Sequence, residues 1–115
     1  MPTTSYRGTI STDNPEIVER ILRLWLSADL RMKLRHGWET RFETEDFELF
    51  CYEVTPRTAR EFFLLEGDIH GTPESAVSKL EGLAEQCRNA DIRFSIEYEE
   101  VDADGNPLTE EKTIN

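Results

Sequence analysis

The segment Gly8-Thr9-Ile10-Ser11-Thr12-Asp13-Asn14-Pro15-Glu16 has a near copy in Gly67-Asp68-Ile69-His70-Gly71-Thr72-Pro73-Glu74, one residue shorter in the link. Each reads as a strand, a tight link and a helix that opens on proline. Proline at the first helical position sacrifices no hydrogen bond, because the N–H there has no partner within the helix. Asn14 and Thr72, just ahead of the prolines, are residue types that accept from the orphan N–H groups of a first turn. Glu16 and Glu74 then meet the positive end of the helix dipole. A chain that makes this transition twice must house two strand-helix units.

The remaining periodicity supplies the partners of those units. Tyr6, Gly8 and Ile10 alternate with Arg7, Thr9 and Ser11, the period of a half-buried strand. Ile17, Ile21, Leu24 and Trp25 recur at helical spacing, widened by Val18 and Leu22, which predicts a helix to about Ser27. The stretch from Ala28 to His36 fits either a helical extension or an extended run, and is read as a connection. Trp38 to Phe42 and Phe47 to Val54 are extended segments parted by the polar group Thr44-Glu45-Asp46, as in a hairpin or a bulged long strand. A break at Thr55-Pro56-Arg57-Thr58 precedes a strand from Glu61 to His70, with Phe63, Leu65, Gly67 and Ile69 on one face. Val77, Leu80, Leu83, Ala84 and Cys87 define a second helical stripe, ended by Asn89-Ala90-Asp91. Ile92, Phe94, Ile96 and Tyr98 then alternate with Arg93, Ser95, Glu97 and Glu99.

These elements predict one α+β domain over residues 1–104. Asp102-Ala103-Asp104-Gly105-Asn106-Pro107 is a dense turn signal, and residues 105–115 read as a loose tail or a short hairpin return. Two β-α-β halves with right-handed crossovers resemble the ferredoxin-like split β-α-β sandwich. That implies four or five mostly antiparallel strands with both helices on one face. The helices would cover Ile10, Phe63, Leu65, Ile69, Phe94 and Ile96. The opposite face would present Arg7, Thr9, Ser11, Phe62, Leu64, Glu66, Asp68, His70, Arg93, Ser95, Glu97 and Glu99.

Charge narrows the partners. The chain of 115 residues carries a net charge of −11, unevenly divided. Residues 1–40 hold five acids and six bases, residues 41–90 eleven and five, and residues 91–115 eight and two. An acidic surface repels phosphate backbones, so nucleic acid is not an expected partner. No apolar run approaches the roughly 20 residues of a membrane span, so no membrane partner is expected either. The first residues lack the apolar core of a secretory signal, and a cytoplasmic location is the expectation. Cys51 and Cys87 fall on apolar stripes and read as reduced core residues with inert thiols.

Chemical motifs are sparse. Glu66, Asp68 and His70 share one strand face and could approach a divalent ion, although a metal site ordinarily draws ligands from more than one element, and a solvated strand end is the simpler reading. The run from Asp102 to Asn106 is not a calcium loop, because Pro107 stands where glycine is needed and Thr113 where glutamate is needed. Arg31, Lys33, Arg35 and His36, next to Trp38 and Arg41, form the one basic run and read as a solvated loop or a salt partner for acidic strands. No catalytic residue, cofactor or metal is assigned. The expected function is a small acidic protein-interaction module, as an inhibitor, an immunity-type antidote or a complex subunit. Its partner would be a protein with a basic surface, or a second copy in a homodimer. The candidate surface is Phe62, Leu64, Glu66, Asp68, His70, Glu97, Glu99, Glu100, Asp102 and Asp104. The alternative is a dimeric ligand-binding or catalytic domain that uses the open sheet face.

Overall fold

The computed structural model describes residues 1–54 and 62–115. The expected break at Thr55 to Thr58, and Glu61 at the start of the following strand, lie outside the described residues. Nine elements follow in order: β1 (Thr3–Ile10), α1 (Pro15–Leu26), β2 (Lys33–Leu34), β3 (Trp38–Thr44), β4 (Phe47–Val54), β5 (Phe62–His70), α2 (Pro73–Asn89), β6 (Phe94–Val101) and β7 (Lys112–Ile114). The strands form one antiparallel sheet in the order β2-β3-β4-β5-β1-β6-β7. The sheet is therefore wider than the four or five strands expected. β2 and β7 contribute two and three residues, too short for an alternating pattern to register. The Trp38–Val54 stretch resolves into two strands joined at Glu45 and Asp46.

Both helices begin as the local chemistry dictates. The Asn14 side chain accepts from the N–H groups of Glu16 and Ile17, and Thr72 accepts from that of Ser75. α1 ends on Ser27 in the left-handed region, with Ala28 N–H donating to the Arg23 carbonyl. Beyond it the backbone leaves the helix, and Glu19 reaches across to accept from the Met32 N–H. Leu30 and Met32 are thereby tucked into the core, and the basic run emerges as β2 and its turn.

One apolar core joins the two helices to one sheet face. Tyr6 and Ile10 of β1, Leu49 and Cys51 of β4, Phe63, Leu65 and Ile69 of β5, and Phe94 and Ile96 of β6 are all buried there. Val18, Ile21 and Leu22 from α1 and Ala76, Leu80, Leu83, Ala84 and Cys87 from α2 close it from above. Burying a side chain of this size contributes about 1.5–3 kcal/mol, so the shared core outweighs any single surface pair. Trp25 fastens the helices together: its indole N–H donates to the Lys79 carbonyl at 2.7 Å, and its ring meets Phe47 edge-on.

The centre of the sheet depends on two glycines. Tyr6 lies opposite Gly67 across the β1–β5 pair, and its hydroxyl donates to the Glu48 carbonyl of β4 at 2.8 Å. A Cβ at Gly67 would overlap the Glu48 carbonyl and crowd the Tyr6 hydroxyl. At Gly8, between β5 and β6, a Cβ would come within 2.8 Å of the Ser95 carbonyl. After Val101, Asp102 takes the N–H groups of Asp104 and Asn106 onto its carboxylate, and those contacts hold its pKa below the usual range. The turn lets residues 107–115 return along β6, where Ile114 is buried.

Gly67→Ala is expected to lower stability by about 2–4 kcal/mol, since the methyl has no space against backbone. Tyr6→Phe should cost about 1–2 kcal/mol through the stranded Glu48 carbonyl. Urea unfolding of the two variants measures both, and an unchanged midpoint for Gly67→Ala would show that β4 and β5 separate there at no cost.

Candidate functional site

The helices leave the second face of the sheet uncovered. The strand register sets its side chains in rows across the strands. At one end Asp68, Ser5 and Glu99 form a row and Glu43 faces Glu48 on the neighbouring pair, the β4–β5 register being interrupted between Phe47 and Phe50. The next holds Arg41, Phe50, Glu66, Arg7 and Glu97. A third holds Glu39, Tyr52, Leu64, Thr9 and Ser95, and beyond it Phe62 pairs with Val54. The face is thus divided along the strands: carboxylates gather toward one end and apolar groups toward the other.

Of the expected surface residues, Phe62, Leu64, Glu66, Asp68 and His70 lie on this face along β5, and Glu97 and Glu99 along β6. Glu100 has the opposite parity and points to the helix-covered side, at the edge where its N–H meets the Thr109 hydroxyl. Asp102 and Asp104 belong to the turn beyond β6. Seven of the ten expected residues therefore share the open face, Asp102 and Asp104 lie in the adjoining turn, and Glu100 lies on the opposite side, because strand alternation turns it away from Glu97 and Glu99.

Arg7 organises the β6 side of the face. It stands between Glu66 and Glu97 in the register, donates to both Glu99 carboxylate oxygens, and pairs with Glu111 from the returning tail. Its link to Glu97 is longer, at 3.6 Å. These carboxylates hold the Arg7 guanidinium charged, with its pKa raised chiefly by the Glu99 hydrogen bonds. Glu99 is nearly covered in consequence, its side chain 12% exposed. Glu43, Glu48, Glu66 and Asp68 have no ion-pair partner among the described residues. Glu43 and Glu48 also sit directly opposite each other, a like-charge pair that disfavours the empty face.

Phe50 and Tyr52 are functional candidates that the sequence reading passed over. They stack with centroids 4.8 Å apart, and the Arg41 guanidinium covers Phe50 at 3.9 Å. The signal was present in the alternation of β4, where Phe47, Leu49 and Cys51 take the core parity and leave Phe50 and Tyr52 outside. Arg41, adjacent to the basic run, lies on the face opposite Phe50, and Lys33 of the run is registered opposite Glu39. Arg31 pairs with Asp29 and Glu19, and Arg35 with Glu39, so two of its other bases are engaged locally.

Glu66, Asp68 and His70 stay on one strand without converging. His70 shares a hydrogen bond with the Thr3 hydroxyl at 2.9 Å, and no group of three such side chains among the described residues is close enough to hold a metal. Hollows lined by described residues border the face. One of about 190 Å³ lies by Tyr52 and the β2–β3 turn, and one of about 460 Å³ lies by Thr9, Ser11 and Arg93. Neither is lined by Phe62, Leu64, Glu66, Asp68 or His70. No helix among the described residues is long and apolar enough to cross a membrane. The chain matches no protein-family model and no curated protein.

The cysteines sit away from the open face, buried in the core and unbridged. Burial pushes the Cys51 thiol up to about 12 and the Cys87 thiol up to about 11. In the unfolded chain a thiol ionises near pH 8.5, so above that pH the unfolded state binds fewer protons than the folded one. The contribution is full below this pH and is lost as the pH rises toward about 11 and 12. Stability should fall by up to about 1.4 kcal/mol per pH unit for each thiol in that window. Urea midpoints from pH 8 to 10.5 should decline less steeply for Cys51→Ala than for the parent chain, and parallel declines would refute the assignment.

Proposed function

We propose that this chain is a small acidic protein-interaction module whose open sheet face binds a protein with a basic surface. The observation that carries the reading is the set Glu43, Glu48, Glu66 and Asp68, four carboxylates on the sheet face opposite the helices, without ion-pair partners among the described residues. They lie beside half-buried Phe50, Tyr52 and Leu64, so the face joins apolar contact area to one sign of charge. Complementary charge speeds encounter and excludes wrong partners, while apolar contact slows release. A second copy presenting the same face would bring like charges together, which favours a heterologous basic partner over a symmetric homodimer. The role fits an inhibitor, an immunity-type antidote or a complex subunit.

The ferredoxin-like reading belongs to this proposal as its scaffold. Its support is the inner strand order β4-β5-β1-β6, with α1 within the crossover from β1 to β4 and α2 within that from β5 to β6. A cytoplasmic setting is supported by two free, buried thiols.

Affinity capture from lysate of the source cell tests the reading, with the parent chain and a Glu48→Lys, Asp68→Lys variant each run at low and high salt. A basic protein retained by the parent at low salt, released at high salt and lost by the variant is the expected result. Identical capture by both chains would place binding elsewhere.

A further inference from the structure

Resting on that reading, we infer that the partner segment seated on the open face is an α-helix with one basic end and one apolar end, lying along β4 and β5. Three features of the face select this shape.

The first is that the contact is a face and not an edge. Edge strands offer backbone groups to an extended peptide, whereas a sheet face offers only side chains. A segment laid there must satisfy its own backbone, and a helix does so internally.

The second is the division of the face along the strands. Glu48 and Asp68 mark the acidic end of the β4–β5 pair, and Tyr52 and Leu64 lie four residues away on the same two strands. At about 3.4 Å per strand residue the two groups are about 14 Å apart, which a helix spans in about nine residues, or two and a half turns. A helix with lysine or arginine in one turn and leucine or phenylalanine two turns later, on the same side, matches both groups at once. A uniformly basic helix would leave Tyr52 and Leu64 against charge, and a uniformly apolar one would bury Glu48 and Asp68 without compensation.

The third is width. Arg41 of β3 and Arg7 of β1, the latter with its glutamates, belong to the strands on either side, and the Arg41 guanidinium reaches over the Phe50 ring of β4. Between them lie the two strands β4 and β5, a strip of about 10 Å with its side chains, close to the diameter of one helix.

Two synthetic helical peptides of about 16 residues and identical composition test the inference. One keeps its basic and apolar residues in separate halves of a single face; the other interleaves them along that face. Fluorescence anisotropy at about 50 mM salt measures binding, where exposed charges remain poorly screened. The segregated peptide is expected to bind about tenfold tighter than the interleaved one. Glu48→Lys and Tyr52→Ser should each erase that preference, whereas Glu85→Lys, on the exposed side of α2, should leave it intact. Equal binding of the two peptides, weakened by Glu48→Lys and not by Glu85→Lys, would overturn the helix inference and leave the open-face reading standing; equal binding that both substitutions weaken alike would overturn both. Absence of binding by either peptide would overturn the helix inference.

Discussion

The Tyr6 hydroxyl, passing over Gly67 to the Glu48 carbonyl, ties three strands that are distant in sequence into the middle of the sheet. Tyr6 sits on the central strand, Gly67 on its neighbour and Glu48 on the next one out. The phenol is almost wholly buried, and that burial holds it protonated well above the ordinary tyrosine range, so it remains a donor at any pH the fold tolerates. Its ring stacks on Phe47 and meets Trp25 edge-on, which carries the same anchor up into α1. Trp25 in turn donates to α2. The layers of the molecule converge on this one aromatic cluster.

The proposed function follows from which side of the sheet that cluster occupies. Because Tyr6, Phe47 and Gly67 claim the helix side, Arg7, Glu48, Glu66 and Asp68 are forced by strand alternation onto the other. The register then decides which charges meet. Arg7 falls among Glu97, Glu99 and Glu111 and is consumed there, while the carboxylates nearer β4 are left without a cation among the described residues. An exposed face with unspent negative charge beside stacked aromatics is costly to leave bare, since like charges oppose one another and apolar area faces water. The proposed basic, partly apolar partner would remove both costs.

Much of the fold was legible because its signals are local. Pro15 and Pro73 with their capping residues mark both helix starts, and the alternation of Phe63, Leu65 and Ile69 or of Phe94 and Ile96 assigns the core face of a strand without knowledge of its neighbours. β2 and β7 were not legible, because two or three residues cannot display a period. The ambiguous Ala28–His36 stretch was settled by contacts at a distance, where Glu19 of α1 captures the Met32 N–H and buries Leu30 and Met32. For the open face, parity was readable and neighbourhood was not. Phe50 and Tyr52 were visible as off-core positions of β4, yet their stacking and the Arg41 cover depend on pairing with β3.

The sequence by itself determined the types of the longer elements, the starts of both helices, the core side of β1, β5 and β6, and the acidic balance of the chain. These are properties of neighbours along the chain, set by backbone sterics, capping and a two- or 3.6-residue period. Only the tertiary structure decided which carboxylates Arg7 neutralises, that Glu111 of the tail joins them, and that the remaining acids and the aromatics collect at opposite ends of one face. Those outcomes depend on strand order and register, which are fixed when distant segments pack on a common core.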